Sequence, residues 1–431
     1  MTTTTAPAAS AAAALADRET LRLCTAGSVD DGKSTFVGRL LHDTKSVLAD
    51  QLASVERTSA DRGFEGLDLS LLVDGLRAER EQGITIDVAY RYFATDKRTF
   101  ILADTPGHVQ YTRNTVTGMS TSQVVVLLVD ARNGVVEQTV RHLTVAKLLG
   151  VRTVILAVNK IDLVGYSEET FNEIKTTFDA KAAELGIEDP HVVPISALRG
   201  DNVAERSDAT PWYTGPTVLE LLETIPVNHG RADDLDFRFN IQYVLREHAT
   251  DYRAYAGRVN AGSVSVGDEI LAPYGRKTTV AGIDSTDGPV DTAHAGDSVA
   301  LRLADEIDLT RGDLLASGTR PEDVREFAAT VVGLTEKELR AGQAVKLRIG
   351  TAFVRARVAS VDRVLDIDGA AGDNTAPEAV GLNDIAHVTI QTADELPVEP
   401  YAARGAVGNF LLVDQSSGNT LAAGLVGTRL R

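Results

Sequence analysis

The sequence predicts an α/β domain with a mainly parallel sheet and a phosphate-binding loop (P-loop), followed by two β-barrel domains. Between about residues 19 and 224, short β-branched runs alternate with helical stretches, which is typical of a parallel sheet covered by helices. After residue 228, short strands are separated by Gly and Asp turns and helical periodicity almost vanishes. Regular turn signals of this kind favour small barrels.

Four strands of the first domain are predicted from their apolar, β-branched composition. They cover residues 99–103, Val124–Asp130, Thr153–Asn159 and 192–195. The middle two are almost continuously apolar, as burial on both faces requires. Polar motif residues follow the carboxyl ends of these strands, which is where open α/β sheets bind their ligands.

The predicted domain boundaries divide the chain into four parts. Residues 1–18 form a flexible tail rich in Thr and Ala, without the basic start and apolar core of a signal peptide. Residues 19–231 form the nucleotide-binding domain, and residues 232–324 and 325–431 form the two barrels.

Composition limits the class of protein. A chain of 431 residues exceeds the usual size of one domain. Its 61 acidic and 43 basic residues give a net charge of -18, which opposes non-specific binding to nucleic acid or an anionic membrane. One cysteine, Cys24, excludes an intrachain disulfide framework, and no apolar run approaches the roughly 18 residues of a spanning helix. We expect a cytoplasmic protein.

The phosphate-binding loop follows the apolar strand at residues 21–26 and consists of Gly27, Ser28, Val29, Asp30, Asp31, Gly32, Lys33 and Ser34. Its glycines permit a backbone whose N–H groups point at phosphate oxygens, and the next helix adds its positive end. We expect Lys33 to reach the β- and γ-phosphates and Ser34 to bind Mg²⁺. Thr35 then opens the helix.

Asp104 and Gly107 are predicted to sense the γ-phosphate. A carboxylate at the end of a strand can hold Mg²⁺ through water, and the Gly107 N–H can bind the γ-phosphate, whose loss would release the loop. Asp104-Thr105-Pro106-Gly107 taken alone would be an ordinary turn. Thr85, within Gly-Ile-Thr-Ile, is the candidate for the second hydroxyl on Mg²⁺, although the tetrapeptide alone would be only the start of a strand.

The run from Asn159 to Asp162 is predicted to read a guanine base. Asp162 offers two carboxylate oxygens to the adjacent N–H donors of guanine, while Asn159 and Lys160 hold and cover the ring. Adenine presents the wrong edge to this carboxylate. Three residues at the end of the next strand are expected to support the base through backbone contacts: Ser196, Ala197 and Leu198.

His108 is the only one of the eight histidines that lies inside a motif. Because it follows the γ-phosphate sensor, we predict that it positions the attacking water. Residues in this role act mainly by orientation and charge stabilisation. Together with Lys33 and Thr85, it completes the predicted catalytic set of a GTP-hydrolysing switch.

These motifs, in this order, resemble those of the translation-factor class of GTPases. Within that class the chain closely resembles the family of large GTPase subunits of ATP sulfurylase (sulfate adenylyltransferase). The stretches that carry the closer likeness are residues 27–35, 79–93, 104–114, 211–217 and 251–257.

The resemblance implies an α/β P-loop GTPase domain and two barrels that work with a small subunit in a hetero-oligomer, using GTP and Mg²⁺, with no nucleic acid or membrane partner. In that family GTP hydrolysis drives the formation of adenylyl sulfate and pyrophosphate from ATP and sulfate. The alternative is a translation-factor-like GTPase that delivers aminoacyl-tRNA. The Asp30-Asp31 pair and the segment around Trp212 favour the first reading, whereas net charge does not separate the two.

Overall fold

The chain is described here from a computed structural model. The structure describes residues 19–61, 63, 66–73, 88–107, 112–226, 232, 234–247, 252–365, 379–402, 405, 407–428 and 430. The chain divides into two compact units, Met1–Val227 and Asn228–Arg431. Within the described residues, no helix combines the length and apolar character needed to cross a membrane.

The first unit alternates strands and helices. Its strands are β1 (Thr20–Gly27), β2 (Ala89–Ala94), β3 (Thr99–Asp104), β4 (Val124–Asp130), β5 (Thr153–Asn159) and β6 (His191–Pro194). Its α-helices are α1 (Lys33–Asp43), α2 (Ala49–Asp61), α3 (Thr112–Ser120), α4 (Glu137–Leu149), α5 (Glu168–Glu184) and α6 (Val218–Thr224), with short 3-10 helices at Leu69–Leu72 and Ile161–Val164.

The six strands form one sheet in the order β2-β3-β1-β4-β5-β6. All neighbours are parallel except the pair β2 and β3. Every residue of β4 is buried, because helices cover both faces of its Val and Leu run. The carboxyl ends of β1, β3, β4 and β5 therefore meet at one edge of the sheet, and this edge carries the predicted site.

The predicted strands agree closely with the observed ones. Val124–Asp130 and Thr153–Asn159 match at both ends, β3 extends one residue further to Asp104, and β6 lies one residue earlier than expected. Helix α1 begins at Lys33 and not at Thr35, because the Phe36 N–H already donates to the carbonyl oxygen of Gly32 at 2.9 Å. The first helical turn thus includes Lys33 and Ser34.

The second unit consists of two groups of strands. The first group comprises β7 (Arg238–Glu247), β8 (Tyr252–Ala261), β9 (Ser263–Ser265), β10 (Glu269–Leu271), β11 (Lys277–Ser285), β12 (Gly288–Val290), β13 (Thr292–His294), β14 (Ser298–Leu303) and β15 (Leu314–Ala316). The second comprises β16 (Glu322–Gly333), β17 (Leu339–Arg340), β18 (Ala344–Ile349), β19 (Ala352–Val364), β20 (Ala379–Val380), β21 (Ile385–Val398), β22 (Asn409–Val413) and β23 (Thr420–Val426).

Both groups close into barrels, which confirms the predicted fold class. In the first, β10 pairs with both β11 and β15 and so closes the ring β10-β15-β7-β8-β14-β11. The second is the closed barrel β16-β21-β19-β18-β22-β23. The buried Arg238 of the first barrel makes a bidentate ion pair with Glu399, which follows β21. Its Nε lies 2.9 Å from Oε1 and its Nη2 lies 3.1 Å from Oε2. The boundaries predicted for the domains remain predictions.

Helix α1 packs closely against the 3-10 helix Leu69–Leu72. A Cβ atom at Gly38 would lie 2.0 Å from the Leu69 carbonyl oxygen and 2.7 Å from its carbonyl carbon. These are backbone atoms, so a rotamer change cannot relieve the overlap. Glycine at this position therefore lets the helix that follows the phosphate-binding loop approach the neighbouring chain segment.

We predict that Gly38→Ala destabilises the first unit, although alanine favours a helix interior. The overlap with Leu69 should lower the free energy of unfolding by about 1–3 kcal/mol. Trp212 is the only tryptophan of the chain and lies in this unit, so urea unfolding followed by its fluorescence reports on the unit alone. The control is Ser54→Ala at an exposed position of α2, which should change little. Equal midpoints for the two variants would contradict the close contact.

Candidate functional site

The phosphate-binding loop connects the end of β1 to the start of α1. Gly32 has a φ of 90°, in the left-handed region that favours glycine. A Cβ atom there would also lie 2.4 Å from Nδ2 of Asn159. At the other end of the loop, a Cβ atom on Gly27 would lie 2.7 Å from the Leu128 carbonyl oxygen. Both positions thus require glycine, because a Cβ atom would overlap with residues of β4 or β5.

Lys33 lies across the inside of this loop. Its Nζ donates to the carbonyl oxygens of Gly27 at 2.8 Å and Ser28 at 2.7 Å. Burial lowers the pKa of Lys33, and the nearby Asp31 and Asp104 oppose that shift. Gly107 approaches the same ammonium so closely that a Cβ atom there would lie 2.3 Å from Nζ. The structure therefore brings together the predicted phosphate lysine and the predicted γ-phosphate sensor.

The loop is braced from within by Asp31. Its Oδ2 accepts a hydrogen bond from the Ser28 N–H at 2.6 Å. Burial raises the pKa of Asp31, while the bond from Ser28 and the charge of Lys33 lower it. The Ser28 hydroxyl is buried and has no hydrogen-bond partner within the described part of the chain. A buried hydroxyl without a partner in this loop is consistent with a hydrogen bond to a bound polar group, such as phosphate.

Asp104 ends β3 beside the loop. Its Oδ1 accepts a hydrogen bond from the Thr25 hydroxyl at 3.0 Å, and the Thr105 hydroxyl donates to the Thr25 carbonyl at 2.6 Å. Thr25 and Asp104 are register partners in the parallel pair of β1 and β3. These contacts fix the carboxylate at the edge of the sheet where the phosphate-binding loop begins.

The donor types at this edge suit magnesium. The Asp104 carboxylate and the hydroxyl of Ser34, in the first turn of α1, are oxygen donors of the types that Mg²⁺ takes together with substrate phosphates. Among the described residues, no three or more His, Cys, Asp or Glu side chains lie together as a metal-binding group. The two remaining predicted residues, Thr85 and His108, lie outside the described residues.

Asn159 joins the phosphate-binding loop to the loop after β6. Its Nδ2 donates to the Asp31 carbonyl oxygen at 2.7 Å, and its Oδ1 accepts from the Ala197 N–H at 3.0 Å. The residue is only 2% exposed. The carboxamide therefore holds two of the predicted nucleotide-binding segments in one arrangement.

Lys160 also links its segment to the phosphate-binding loop. It adopts a φ of 59°, and its Nζ donates to the Asp30 carbonyl oxygen and lies 3.0 Å from Oδ2 of Asp130. Burial of Asp130 acts to raise the pKa of its carboxyl, but hydrogen bonds from Arg132 and Lys160 outweigh burial and hold the pKa well below its usual range. Sequence reasoning missed Asp130, although its position at the end of β4 was a usable signal.

The residues predicted to surround the base lie next to one another. Asp162 is in the short 3-10 helix after Lys160, and its Oδ2 accepts from Nε of Arg199 at 3.4 Å. Ser196 and Ala197 are buried, whereas Leu198 is half exposed and offers an apolar surface. A carboxylate beside backbone groups and an apolar side chain is the combination of polar and apolar groups that is typical of a small-molecule site.

Arg39 is a second residue that sequence reasoning missed. It projects from α1, and its side chain is 16% exposed. Its Nε donates to the Ala197 carbonyl oxygen at 3.0 Å, and its Nη2 donates to the Leu198 carbonyl oxygen. The helix that carries Lys33 therefore also holds the backbone predicted to support the base. No local pattern reveals a contact between residues 158 positions apart.

We predict that Arg39→Met loosens the loop around Ala197 and raises the Kd for GTP and for GDP by a similar factor of about 10, or about 1.4 kcal/mol. The Kd for ATP should change much less, because the lost interaction supports contacts with guanine. Calorimetric titration with the three nucleotides measures this. Arg57→Met is the control, because Arg57 lies on α2 and its Nε bonds only within that helix. A uniform loss for all three nucleotides would indicate a general structural role instead.

Two known domain families match parts of the chain. Residues 18–228 match the elongation factor Tu GTP binding domain, and residues 326–427 match the GTP-eEF1A C-terminal domain-like family. The crystal structure of sup35 complexed with GDP covers 96% of this chain and 95% of its own at 23% identity and a TM-score of 0.42, a likeness too weak to bear on function.

Curated relatives match nearly the whole chain. The bifunctional enzyme CysN/CysC of Mycobacterium tuberculosis (strain H37Rv) is 50% identical over 94% of this chain and 67% of the relative. Sulfate adenylyltransferase subunit 1 is 47% identical in Shewanella oneidensis and 48% in Citrobacter koseri, over 94% of this chain and 85% and 86% of those proteins. The chain therefore belongs to the sulfate adenylyltransferase subunit 1 family, and its first half carries a GTP-binding domain of the elongation factor Tu type.

Proposed function

We propose that this chain is the GTPase subunit of a sulfate adenylyltransferase. GTP hydrolysis here drives the synthesis of adenylyl sulfate and pyrophosphate from ATP and sulfate by a separate small subunit, as the first step of sulfate activation. The observation that carries the proposal is the connection through Asn159 between a phosphate-binding loop and a guanine-type base site. The names of the close relatives support the choice of reaction.

The roles of the residues follow from their positions. The N–H groups of the phosphate-binding loop and Lys33 bind the phosphates, and the positive end of α1 adds to the attraction. Asp162 reads the guanine edge, while Leu198 packs against the ring. Ser34, Thr85 and Asp104 are the residues proposed to hold Mg²⁺, which would neutralise phosphate charge when bound.

Hydrolysis is proposed to depend on His108 and to be communicated by Gly107. His108 orients the attacking water, and Gly107 donates its N–H to the γ-phosphate beside Lys33. When the phosphate leaves, the segment after β3 loses that bond and changes position. In related switches a supplied charge or partner raises the rate by about 10³ to 10⁵, so we expect slow turnover by the isolated chain.

The proposed partner is the small subunit, in a hetero-oligomer without nucleic acid or membrane. The alternative of delivering aminoacyl-tRNA has no support among the names of the close relatives. We place the reaction in the cytoplasm, which agrees with one free, buried cysteine.

The test mixes the purified chain with its small subunit, ATP, sulfate and GTP, and measures phosphate release and adenylyl sulfate, with each protein alone as reference. Both activities should rise only together. His108→Ala should bind GTP normally but lose about 10²-fold or more of the hydrolysis rate, and adenylyl sulfate should fall with it. His191→Ala is the control histidine variant.

One result would contradict the proposed coupling, and another would contradict only the proposed role of His108. Hydrolysis of GTP that ignores the partner, ATP and sulfate would mean that the GTPase serves another reaction. Full partner-stimulated turnover by His108→Ala would remove His108 from the mechanism and leave the coupling intact.

A further inference from the structure

The second barrel carries a concentration of positive charge on its outer surface, although the chain as a whole has a net charge of -18. Lys346 and Arg348 lie on β18, and Arg355 and Arg357 lie on β19. The residues that alternate with them on β18, Val345 and Leu347, are fully buried in the barrel core. The four cations therefore point outward together, as the alternation of a strand requires. We call these four residues, with Phe353 and Leu411, the basic face.

The strand register places the members of the basic face side by side. Lys346 is directly opposite Arg355 in the pairing of β18 with β19. Arg348 is opposite Phe353 on one side and opposite Leu411 of β22 on the other. Neighbouring strands lie about 4.8 Å apart, so the basic face is one continuous patch across three strands.

Folding alone does not account for this arrangement. Like charges directly opposite one another destabilise a strand pair. Within the described residues, Lys346, Arg348 and Arg355 make no ion pair, and Arg357 donates to the Gln391 amide oxygen at 2.6 Å. Several other cations of the same unit do pair with carboxylates, including Arg238 with Glu399, Arg302 with Asp284 and Lys337 with Asp414.

Two large apolar side chains lie within the same patch. Phe353 is 54% exposed and Leu411 is 38% exposed. Lys346 lies over the Phe353 ring, with Nζ 5.2 Å from the ring centroid. An aromatic residue and arginines around an apolar centre are the residue types enriched at protein interfaces and their binding hot spots.

We propose that the basic face docks an acidic surface of the small subunit. This inference rests on the proposed function, which requires such a partner. A protein fits better than a nucleic acid for two reasons. Lys346 covers one face of the Phe353 ring, which hinders stacking on a base. The net charge of -18 also repels a polyanion at long range, whereas a compact protein contact brings opposite charges together at short range.

The test is the affinity of the full-length chain for the purified small subunit, measured by calorimetry at low and at moderate salt. Arg348→Glu combined with Arg355→Glu should raise the Kd by about 10- to 100-fold at low salt, because like charges then face each other across the interface. Phe353→Ser should weaken the complex with little change in its salt dependence. The wild-type Kd should itself rise with salt.

The matched control is Arg276→Glu combined with Lys277→Glu, which makes the same change of net charge on the first barrel. Its affinity should stay within about threefold of wild type, since only long-range charge has changed. Circular dichroism melting and GTP binding check that all variants are folded.

The outcomes distinguish failure of the proposed function from failure of the docking surface. If the wild-type chain does not bind the small subunit, the proposed function fails and this inference fails with it. If the wild type binds but the basic-face variants bind equally well, the complex exists and the docking surface lies elsewhere. Equal losses in the basic-face and control variants would mean that only net charge matters. Loss of binding to a short RNA duplex, with the protein complex unchanged, would assign the surface to nucleic acid and overturn the proposal.

Discussion

The nucleotide site depends on the side chain of Asn159, which joins segments that are far apart in the sequence. Its amide hydrogen-bonds to the phosphate-binding loop at Asp31 and, at Ala197, to the loop proposed to support the base. Both partners are buried backbone groups. Leaving either of them unsatisfied would cost about 1–3 kcal/mol. Because one planar group makes both bonds, the fold fixes the distance between the two loops that are proposed to bind the phosphates and the base.

The parallel sheet makes this arrangement possible. Strands β1, β3, β4 and β5 all end at the same edge, so Lys33, Asp104, Asp130 and Asn159 lie around it. Burial of these charged and polar groups is unfavourable unless they are paired or hydrogen-bonded. The Lys33 ammonium meets two carbonyl oxygens, and Asp130 meets Arg132 and Lys160. Arg39 adds a second link between these segments. It lies on the same helix as Lys33 and donates to the carbonyl oxygens of Ala197 and Leu198.

Local patterns predicted the elements and the motif residues of this site. The short, continuous apolar runs of β4 and β5, rich in β-branched residues, favour strands buried on both faces, and their bounds were predicted correctly. The regularly spaced turns predicted two barrels, but pairing between strands far apart in the sequence, such as β10 with β15, has no local signal. Arg39 was missed because its role arises from contacts with residues far away in the sequence, whereas the position of Asp130 at the end of β4 was a signal that sequence reasoning did not use. The roles of Thr85 and His108 stay predictions.

Competition between GTP and ATP for binding to the wild-type chain and to Asn159→Ala measures whether Asn159 preorganises a site for guanine nucleotides. The wild type should prefer GTP by about 10⁴-fold or more, because adenine leaves the Asp162 carboxylate unpaired. In Asn159→Ala, GTP affinity and this preference should both fall sharply, while tryptophan fluorescence still shows a folded first unit. Equal affinity of the wild type for ATP and GTP, or unchanged selectivity in Asn159→Ala, would contradict the account.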